Sequence, residues 1–184
     1  RTYPLGPLTE DEKRFYTWTL QSHIDLAKAV WLDYCECKMI DTIAREPLWR
    51  HLINYRCGTG HSVSFVGNVH EGPHALNSRN TTRMRPGMVV TDEPGVYETD
   101  LVGIRIENEL VCVHKADNQY GTFLGFEPLM FVPIATSPIL PGVLDKDELA
   151  WLNDYHRQVF AKLAPHLNDE ERSWLAEKCA ASRC

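Results

Sequence analysis

The sequence predicts an α+β fold in which helices flank an antiparallel sheet. Three observations support this prediction: helical patterns lie at both ends of the chain, strand patterns fill the middle, and strands and helices do not alternate as in parallel βαβ units. The chain has 184 residues, of which 43% are hydrophobic. That length and composition suffice to bury a core, so we expect one domain.

The first two predicted elements are helices. Thr9 and Glu12 form a capping box, in which each side chain binds the other residue's backbone N–H, and an apolar stripe at helical spacing follows. We therefore predict a helix over residues 10–31 and a second one over residues 37–49, where apolar residues recur every three or four positions. Because proline lacks an amide donor, we expect the second helix to bend or end early at Pro47.

Strand patterns fill the middle of the chain. A turn at residues 85–87 introduces MVVTDEPGVYE, a buried strand that we expect to stop at the Pro-Gly pair of residues 94–95. In VGIRIENELVCVH, residues 102–114, apolar and polar residues alternate, which places Arg105 and Glu107 on one polar face. A polar turn then separates this strand from a last one, TFLGFEPLMFVPIA.

The C-terminal end is predicted to be helical. One helix covers residues 145–163 with Asp145 as its cap, and another covers residues 169–180. Pro165 separates them because it cannot continue the first helix.

Charge and hydropathy exclude several classes of partner. The net charge is −6 and no block of like charges occurs, which argues against binding to nucleic acid or to an anionic membrane surface. No apolar run approaches the roughly 20 residues of a membrane-spanning helix. The first residues, RTYPLGPLTEDEKR, lack the apolar core of a signal peptide. We therefore expect a cytoplasmic protein.

The cysteines follow no regular framework, and we expect reduced thiols. The C-x-C pair could bind zinc, but no second pair with the usual spacing completes a site, so no zinc site is predicted. The six cysteines are Cys35, Cys37, Cys57, Cys112, Cys179 and Cys184.

Four ionisable residues form a candidate site. The stretch GTGHSVSFVGNVHEGP places His61 and His70 nine residues apart among small residues, Glu93 ends an apolar run, and Glu107 lies on a strand's polar face. Carboxylates at such positions are costly unless they are paired or bound to a cation. Two carboxylates and an imidazole suit Mn²⁺, Co²⁺, Zn²⁺ or Fe²⁺. The residues leave a second interpretation open, an Arg105–Glu107 ion-pair network without metal.

Three ordered motifs then connect the chain to a known family. GTGHSVSFVGNVHEGP, MRPGMVVTDEPGVY and VGIRIENELVCV resemble the motifs of the pita-bread metallopeptidases, within which the chain is most similar to the aminopeptidase P (Xaa-Pro aminopeptidase) branch. The resemblance extends to IDTIAREPLW and, near the C-terminus, to TFLGFEPLMFVPI and LDKDELAWLNDYHRQVF. It implies a partial pita-bread fold.

The resemblance also implies a role for each candidate residue. His61 corresponds to an imidazole ligand of one metal ion and Glu107 to a carboxylate that bridges both ions. Glu93 corresponds to a carboxylate ligand that also activates the attacking water. His70 corresponds to a histidine beside the metals that stabilises the gem-diolate and moves protons. Arg105 would orient the carboxylate of Glu107.

The activity that the resemblance implies is removal of an N-terminal residue that precedes proline, with two divalent ions as cofactors; the expected ion is Mn²⁺, with Zn²⁺ or Co²⁺ as alternatives. A homodimer is a further expectation. The family uses five ligands, of which two are aspartates on strands that precede the matched region. Residues 1–184 are therefore expected to be the C-terminal part of a catalytic domain, inactive in isolation.

Several substitutions fall inside the motifs. Cys57 stands where the family has histidine, and Ser62 and Ser64 stand where it has glycine. Tyr97, after the Pro-Gly turn, would line the substrate pocket together with Cys57. These changes leave two alternatives open: a non-catalytic homologue that acts as a binding or interaction module, and a prolidase-like dipeptidase with another substrate.

Four further histidines carry no comparable pattern, and we expect them at the surface or at helix ends; they are His23, His51, His74 and His114. Trp49 and Tyr55 are expected in the core rather than at a substrate surface.

Overall fold

The computed structural model describes residues 1–182, and it confirms the predicted combination of helices and antiparallel strands. The chain forms two compact units, one made of Trp18–Met130 and the other of Arg1–Thr17 together with the chain from Phe131 onward. Within residues 1–182, none of the helices has the length and hydropathy required to cross a membrane.

The elements follow the predicted order of helices, strands and helices. They are α1 Glu10–Ala27, β1 Val30–Leu32, α2 Cys37–Trp49, β2 Gly60–His61, β3 Ala75–Leu76, β4 Val89–Asp92, β5 Gly95–Glu98, β6 Val102–Arg105, β7 Asn108–Asn118, β8 Gly121–Pro128, α3 Lys146–Leu163, a 3-10 helix Ala164–His166 and α4 Asp169–Lys178.

The N-terminal helices largely match their predicted ranges. The capping box is present, since the backbone N–H of Thr9 donates to Glu12 Oε2 over 2.7 Å and the N–H of Glu12 donates to Thr9 Oγ1 over 3.3 Å. The predicted extension of α1 to residue 31 is wrong, because Trp31 lies in β1, which pairs with β8. The bounds of α2 are as predicted, and Pro47 lies inside the helix two residues before its end at Trp49.

Each of the first two strand patterns in the middle of the chain forms two separate strands. In the first, β4 ends at Asp92 and β5 begins at Gly95; in the second, β6 ends at Arg105 and β7 begins at Asn108. Strand β4 pairs with β7 in a four-stranded antiparallel sheet of order β1-β8-β7-β4, whereas β5 pairs with β6 in a separate two-stranded sheet. The predicted stop of the first strand at the Pro-Gly pair is therefore confirmed, whereas the prediction of one uninterrupted strand over residues 102–114 is wrong.

The two interruptions lie opposite each other. Asp92 pairs with Asn108 at the end of the larger sheet. The residues that follow Asp92 therefore run beside the residues that precede Asn108. Pro94 offers no N–H for a ladder hydrogen bond, which explains why the first strand cannot continue. Glu93 and Glu107 consequently lie in neighbouring segments between the two sheets.

Two histidines that we expected at the surface are buried. His23 lies on the inner face of α1, one turn from Leu20, and its Nδ1 is 3.0 Å from Asp92 Oδ2 with both side chains fully buried. His74 is also buried, and its Nε2 lies 2.7 Å from the carbonyl oxygen of Val89. The expectation was wrong because each imidazole has a polar partner that lies far away in the sequence.

The other expectations for isolated side chains are mixed. His51 and His114 are exposed as predicted. Tyr55 is buried in the core as predicted, but Trp49 is 44% exposed, so its placement in the core was wrong.

The described cysteines have free thiols, as expected; they are Cys35, Cys37, Cys57, Cys112 and Cys179. Cys184 lies outside the described residues.

The C-terminal helices begin at well-formed caps. The side chain of Asp145 accepts hydrogen bonds from Asp147 and Glu148, and Glu148 completes a capping box, which confirms Asp145 as the cap of α3. Helix α4 begins after Asn168 with a second capping box and ends at Lys178, two residues before its predicted end.

One buried histidine of this unit makes folding sensitive to acid. The backbone N–H of Ile134 donates to His156 Nε2 over 3.1 Å, and burial lowers the pKa of His156 from about 6.5 to about 4. The unfolded chain therefore binds a proton between these values that the folded chain resists. We expect this residue's contribution to stability to be complete above pH 6.5 and to fall as the pH approaches 4, by roughly 3 kcal/mol.

The check is urea unfolding of the wild type and of a His156→Gln variant at several pH values. The difference in their free energies of unfolding should shrink steadily from pH 7 to pH 4. A difference that does not change with pH would show that His156 is protonated equally easily in both states.

Candidate functional site

A close approach of two strands positions the first histidine. A Cβ atom on Gly60 would lie 1.7 Å from the carbonyl oxygen of Thr91, so only glycine allows β2 to pack this tightly against β4. The backbone N–H of His61 donates to Thr91 Oγ1 over 2.9 Å, and this hydrogen bond holds the backbone of His61 next to the end of β4.

The acidic residues at the strand interruptions form one polar cluster with this histidine. Glu93 Oε1 lies 3.1 Å from His61 Nε2 and accepts a hydrogen bond from Thr91 Oγ1 over 3.0 Å. Arg105 joins the two carboxylates, since its Nη1 lies 3.2 Å from Glu93 Oε2 and its Nε lies 3.3 Å from Glu107 Oε2. The structure therefore brings together His61, Glu93, Arg105 and Glu107.

The second predicted histidine lies against the first. The ring centroids of His61 and His70 are 3.9 Å apart in an edge-to-face arrangement. His61 Nδ1 lies 3.0 Å from the carbonyl oxygen of Ser62. In the neutral tautomer that donates to this carbonyl, the lone pair of Nε2 points toward Glu93 and is available to a cation.

The cluster opens into a cavity of about 340 Å³. Its walls include Cys57, Gly60, His61, His70, Glu93 and Arg105. The thiol of Cys57 lies 3.7 Å from the carbonyl oxygen of Gly95, and burial raises its pKa.

One predicted pocket residue borders the cluster near Arg105 without lining this cavity. Tyr97 is 56% exposed and does not belong to the walls of this cavity. Its ring covers Gly95, where an added Cβ atom would lie 2.8 Å from the ring, so its position reflects packing on a glycine of the same strand.

The cluster has the kinds of donor atoms that a metal site needs, but its side chains do not meet at one point. Its donors, two carboxylates and one imidazole, are of the kind that bind Mn²⁺, Co²⁺ or Zn²⁺. Among residues 1–182, however, no three His, Cys, Asp or Glu side chains converge closely enough to hold an ion. Instead the guanidinium of Arg105 lies between Glu93 and Glu107, as in the ion-pair interpretation, and these anions already share one positive charge.

Sequence reasoning missed Thr91 and Asn77. Thr91 touches both His61 and Glu93, and Asn77 lines the cavity. Thr91 lies two residues before Glu93, and residues at this spacing share a face of a strand, so the signal was present. No comparable signal marks Asn77, because it reaches the cavity through the pairing of β2 with β3.

Comparison with known proteins adds two family matches. The profile of metallopeptidase family M24 matches residues 1–114, and the profile of the C-terminal region of peptidase M24 matches residues 122–182. Together they cover most of the chain.

Individual relatives agree with these matches. A probable Xaa-Pro aminopeptidase P of Laccaria bicolor is 39% identical over 98% of this chain and 29% of its own length. Aminopeptidase P2 of Arabidopsis thaliana is 41% identical over 95% of this chain and 26% of its own length. The chain thus spans less than a third of these relatives.

Solved structures show the same fold. The X-prolyl aminopeptidase of Caenorhabditis elegans, described as a cytosolic enzyme with a di-nuclear active site, matches with a TM-score of 0.89 and 36% identity over 96% of this chain and 30% of its own. A prolidase from Pyrococcus furiosus matches with a TM-score of 0.59 and 27% identity over 70% of this chain and 35% of its own. The predicted pita-bread fold is confirmed for the segment that this chain represents.

Proposed function

Because the chain belongs to metallopeptidase family M24, we propose that it provides one side of the active site of an Xaa-Pro aminopeptidase, which releases the N-terminal residue from peptides with proline in second position. The names of its relatives support this substrate class.

The opposed strand interruptions are the single observation that carries the proposal. At these interruptions the carboxylates of Glu93 and Glu107 lie on either side of Arg105, and His61 Nε2 lies 3.1 Å from Glu93 Oε1. A hydrolase that activates water needs such a set of anionic and imidazole groups next to a cavity. His61, Glu93 and Arg105 line the cavity next to β2, and Glu107 is held beside them by Arg105.

We propose His61, Glu93 and Glu107 as ligands of a dinuclear metal centre. Carboxylate oxygens suit Mn²⁺, which is the ion that we favour, and the imidazole also suits Zn²⁺ or Co²⁺, which are the alternatives. When bound, two such ions lower the pKa of a water molecule and polarise the carbonyl of the scissile bond.

The remaining steps belong to side chains of this chain. Glu93 accepts the proton of the attacking water, and its orientation is held by Thr91 and Arg105. His70, which contacts His61 edge-on, donates a hydrogen bond to the oxygen of the substrate carbonyl as negative charge develops there. Arg105 keeps the carboxylate of Glu107 in place through its Nε.

Further properties belong to the same proposal. We propose a cytoplasmic location, supported by the relative described as cytosolic, and a homodimer, as the family resemblance implies. We also propose that the 184-residue chain alone does not turn over substrate, because it matches only three of the five metal ligands that the resemblance implies.

Peptide cleavage tests the proposal. The full-length protein is incubated with Mn²⁺ and the peptides Arg-Pro-Ala-Ala and Arg-Ala-Ala-Ala, and free arginine is quantified by liquid chromatography. We expect arginine from the first peptide only. Absence of cleavage with Mn²⁺, Zn²⁺ and Co²⁺ would contradict the proposal and favour the alternative, a binding module that has lost catalysis. Equal cleavage of both peptides would contradict the specificity for proline.

A further inference from the structure

A second, larger cavity adjoins the candidate active site. It measures about 680 Å³ and lies between the C-terminal end of α2 and the segments before β2 and after β3. We call it the arginine cleft, because its walls include Arg45, Arg56 and Arg79, together with the aromatic side chains of Trp49 and Tyr55.

One of the three arginines builds the wall of the cleft. Arg45 is buried and donates to Asp41 Oδ2 over 2.8 Å, to the carbonyl oxygen of Tyr55 over 2.9 Å and to that of Cys57 over 2.9 Å. Its guanidinium carbon also lies 4.2 Å from the centre of the Tyr55 ring. These contacts fix the segment that forms the floor, so the cleft is preorganised for a ligand.

The other two arginines have unused hydrogen-bond donors. Arg56 and Arg79 are exposed, and among residues 1–182 neither guanidinium has a hydrogen bond or an ion pair. No aspartate or glutamate belongs to the cleft's walls, although the chain as a whole has a net charge of −6. A concave surface with this local charge attracts anions, and a guanidinium binds a carboxylate through paired N–H donors.

The cleft is continuous with the candidate active site. Cys57, Gly58 and Asn77 line both cavities, so a peptide that occupies one extends directly into the other. The positive charge of the cleft repels the free α-ammonium group of a peptide. The N-terminal residue must therefore lie on the other side of the scissile bond, and the cleft receives the residues that follow it.

We propose that the arginine cleft is a subsite for carboxylate groups on the C-terminal side of the scissile bond. Arg56 and Arg79 are its specificity-determining residues, and the carboxylate is either the C-terminus of a short peptide or an acidic side chain. The position of this subsite along the substrate rests on the proposed function, whereas its preference for carboxylates rests on the cleft alone.

Peptide binding to the 184-residue chain tests the inference without catalysis. The probes are Ala-Pro-Ala-Ala-Ala with a free C-terminus, its C-terminal amide, and the amides of Ala-Pro-Ala-Glu-Ala and Ala-Pro-Ala-Gln-Ala. Tryptophan fluorescence reports binding, since Trp49 lines the cleft, and calorimetry measures affinity independently. We expect one or both carboxylate peptides to bind about five- to tenfold more tightly than their uncharged counterparts at low salt, with a smaller difference at high salt.

The four probes separate the two sources of the carboxylate. Preference for the free C-terminus over its amide identifies a subsite for short peptides, and preference for glutamate over glutamine identifies one for acidic side chains.

Matched variants test the two arginines. Arg56→Ala with Arg79→Ala should abolish the preference, whereas Arg83→Ala with Arg85→Ala, which removes two exposed arginines outside the cleft, should retain it. Retention of the preference in the first double variant, or its loss in the second, would overturn the inference, because the attraction would then come from groups other than Arg56 and Arg79.

The same peptides also distinguish the two proposals. If the metal-loaded full-length protein releases alanine from them but carboxylates bring no gain in affinity, the inference fails alone. If carboxylates are preferred but no peptide is cleaved, the proposed function fails and the carboxylate site remains.

Discussion

Replacing Glu93 by glutamine is expected to lower the turnover of Xaa-Pro peptides by about a thousandfold or more. Glutamine preserves the size of the side chain but cannot accept a proton and carries no charge for a metal ion. Glu93 also accepts a hydrogen bond from Arg105 and lies next to His61. The variant therefore removes the negative charge that faces both of these side chains. The measurement is kcat and KM of the full-length protein with saturating Mn²⁺.

Glu98→Gln is the matched control. Glu98 is an exposed carboxylate at the end of β5, five residues further along the chain, and it does not line the candidate cavity. Its replacement should leave kcat and KM within about twofold of wild type, because isolated surface charges contribute little. Retention of more than a tenth of the wild-type kcat in Glu93→Gln would mean that another group accepts the proton.

The second large effect is on stability, at the buried pair of His23 and Asp92. The two side chains are fully buried, with Nδ1 and Oδ2 3.0 Å apart, and Asp92 directly precedes Glu93. His23→Ala would leave the Asp92 carboxylate buried without this partner. We expect a loss of about 3 kcal/mol or more in the free energy of unfolding, measured by urea denaturation followed by circular dichroism.

An exposed pair of the same chemistry provides the control. His114 Nε2 lies 2.9 Å from Asp117 Oδ2, but the two side chains are 49% and 65% exposed. Solvent screens such a pair, so His114→Ala should cost no more than about 1 kcal/mol. Similar losses in His23→Ala and His114→Ala would contradict the view that burial makes the first pair important.

The sequence alone predicted the elements whose signals are local. The capping box at Thr9 and the cap at Asp145 predicted the starts of two helices, and the periodicity of α2 predicted both of its ends. The prediction of a partial pita-bread fold had a different basis, which is the occurrence of three motifs in a fixed order. One motif alone would not have been specific enough.

The errors share a physical cause, which is dependence on contacts distant in the sequence. The local sequence around Trp31 predicts helix, but the residue lies in β1 because that strand pairs with β8. His23 was predicted at the surface, but it is buried next to Asp92. The interruption at Glu107 was hidden because alternation of apolar and polar residues continues through it, although the chain passes from one sheet to another, whereas Pro94 signalled the interruption at Glu93.

The candidate site was predicted from the sequence in part. The grouping of His61 and Glu93, and the contact of Arg105 with Glu107, agree with the predicted set. The bond from Arg105 to Glu93 was not predicted, because their separation depends on the pairing of β5 with β6. The arginine cleft was missed entirely, since Arg45, Arg56 and Arg79 belong to no motif.

The most direct test of the central claim, that this chain contributes ligands to a dinuclear centre, is native mass spectrometry of the full-length protein after incubation with Mn²⁺. We expect two ions per chain in the wild type, and one or none in Glu107→Gln, because the family resemblance implies that this carboxylate is a ligand of both ions. The Glu98→Gln variant should keep both. A wild type without bound metal, or a Glu107→Gln variant that retains both ions as tightly as the wild type, would contradict the claim.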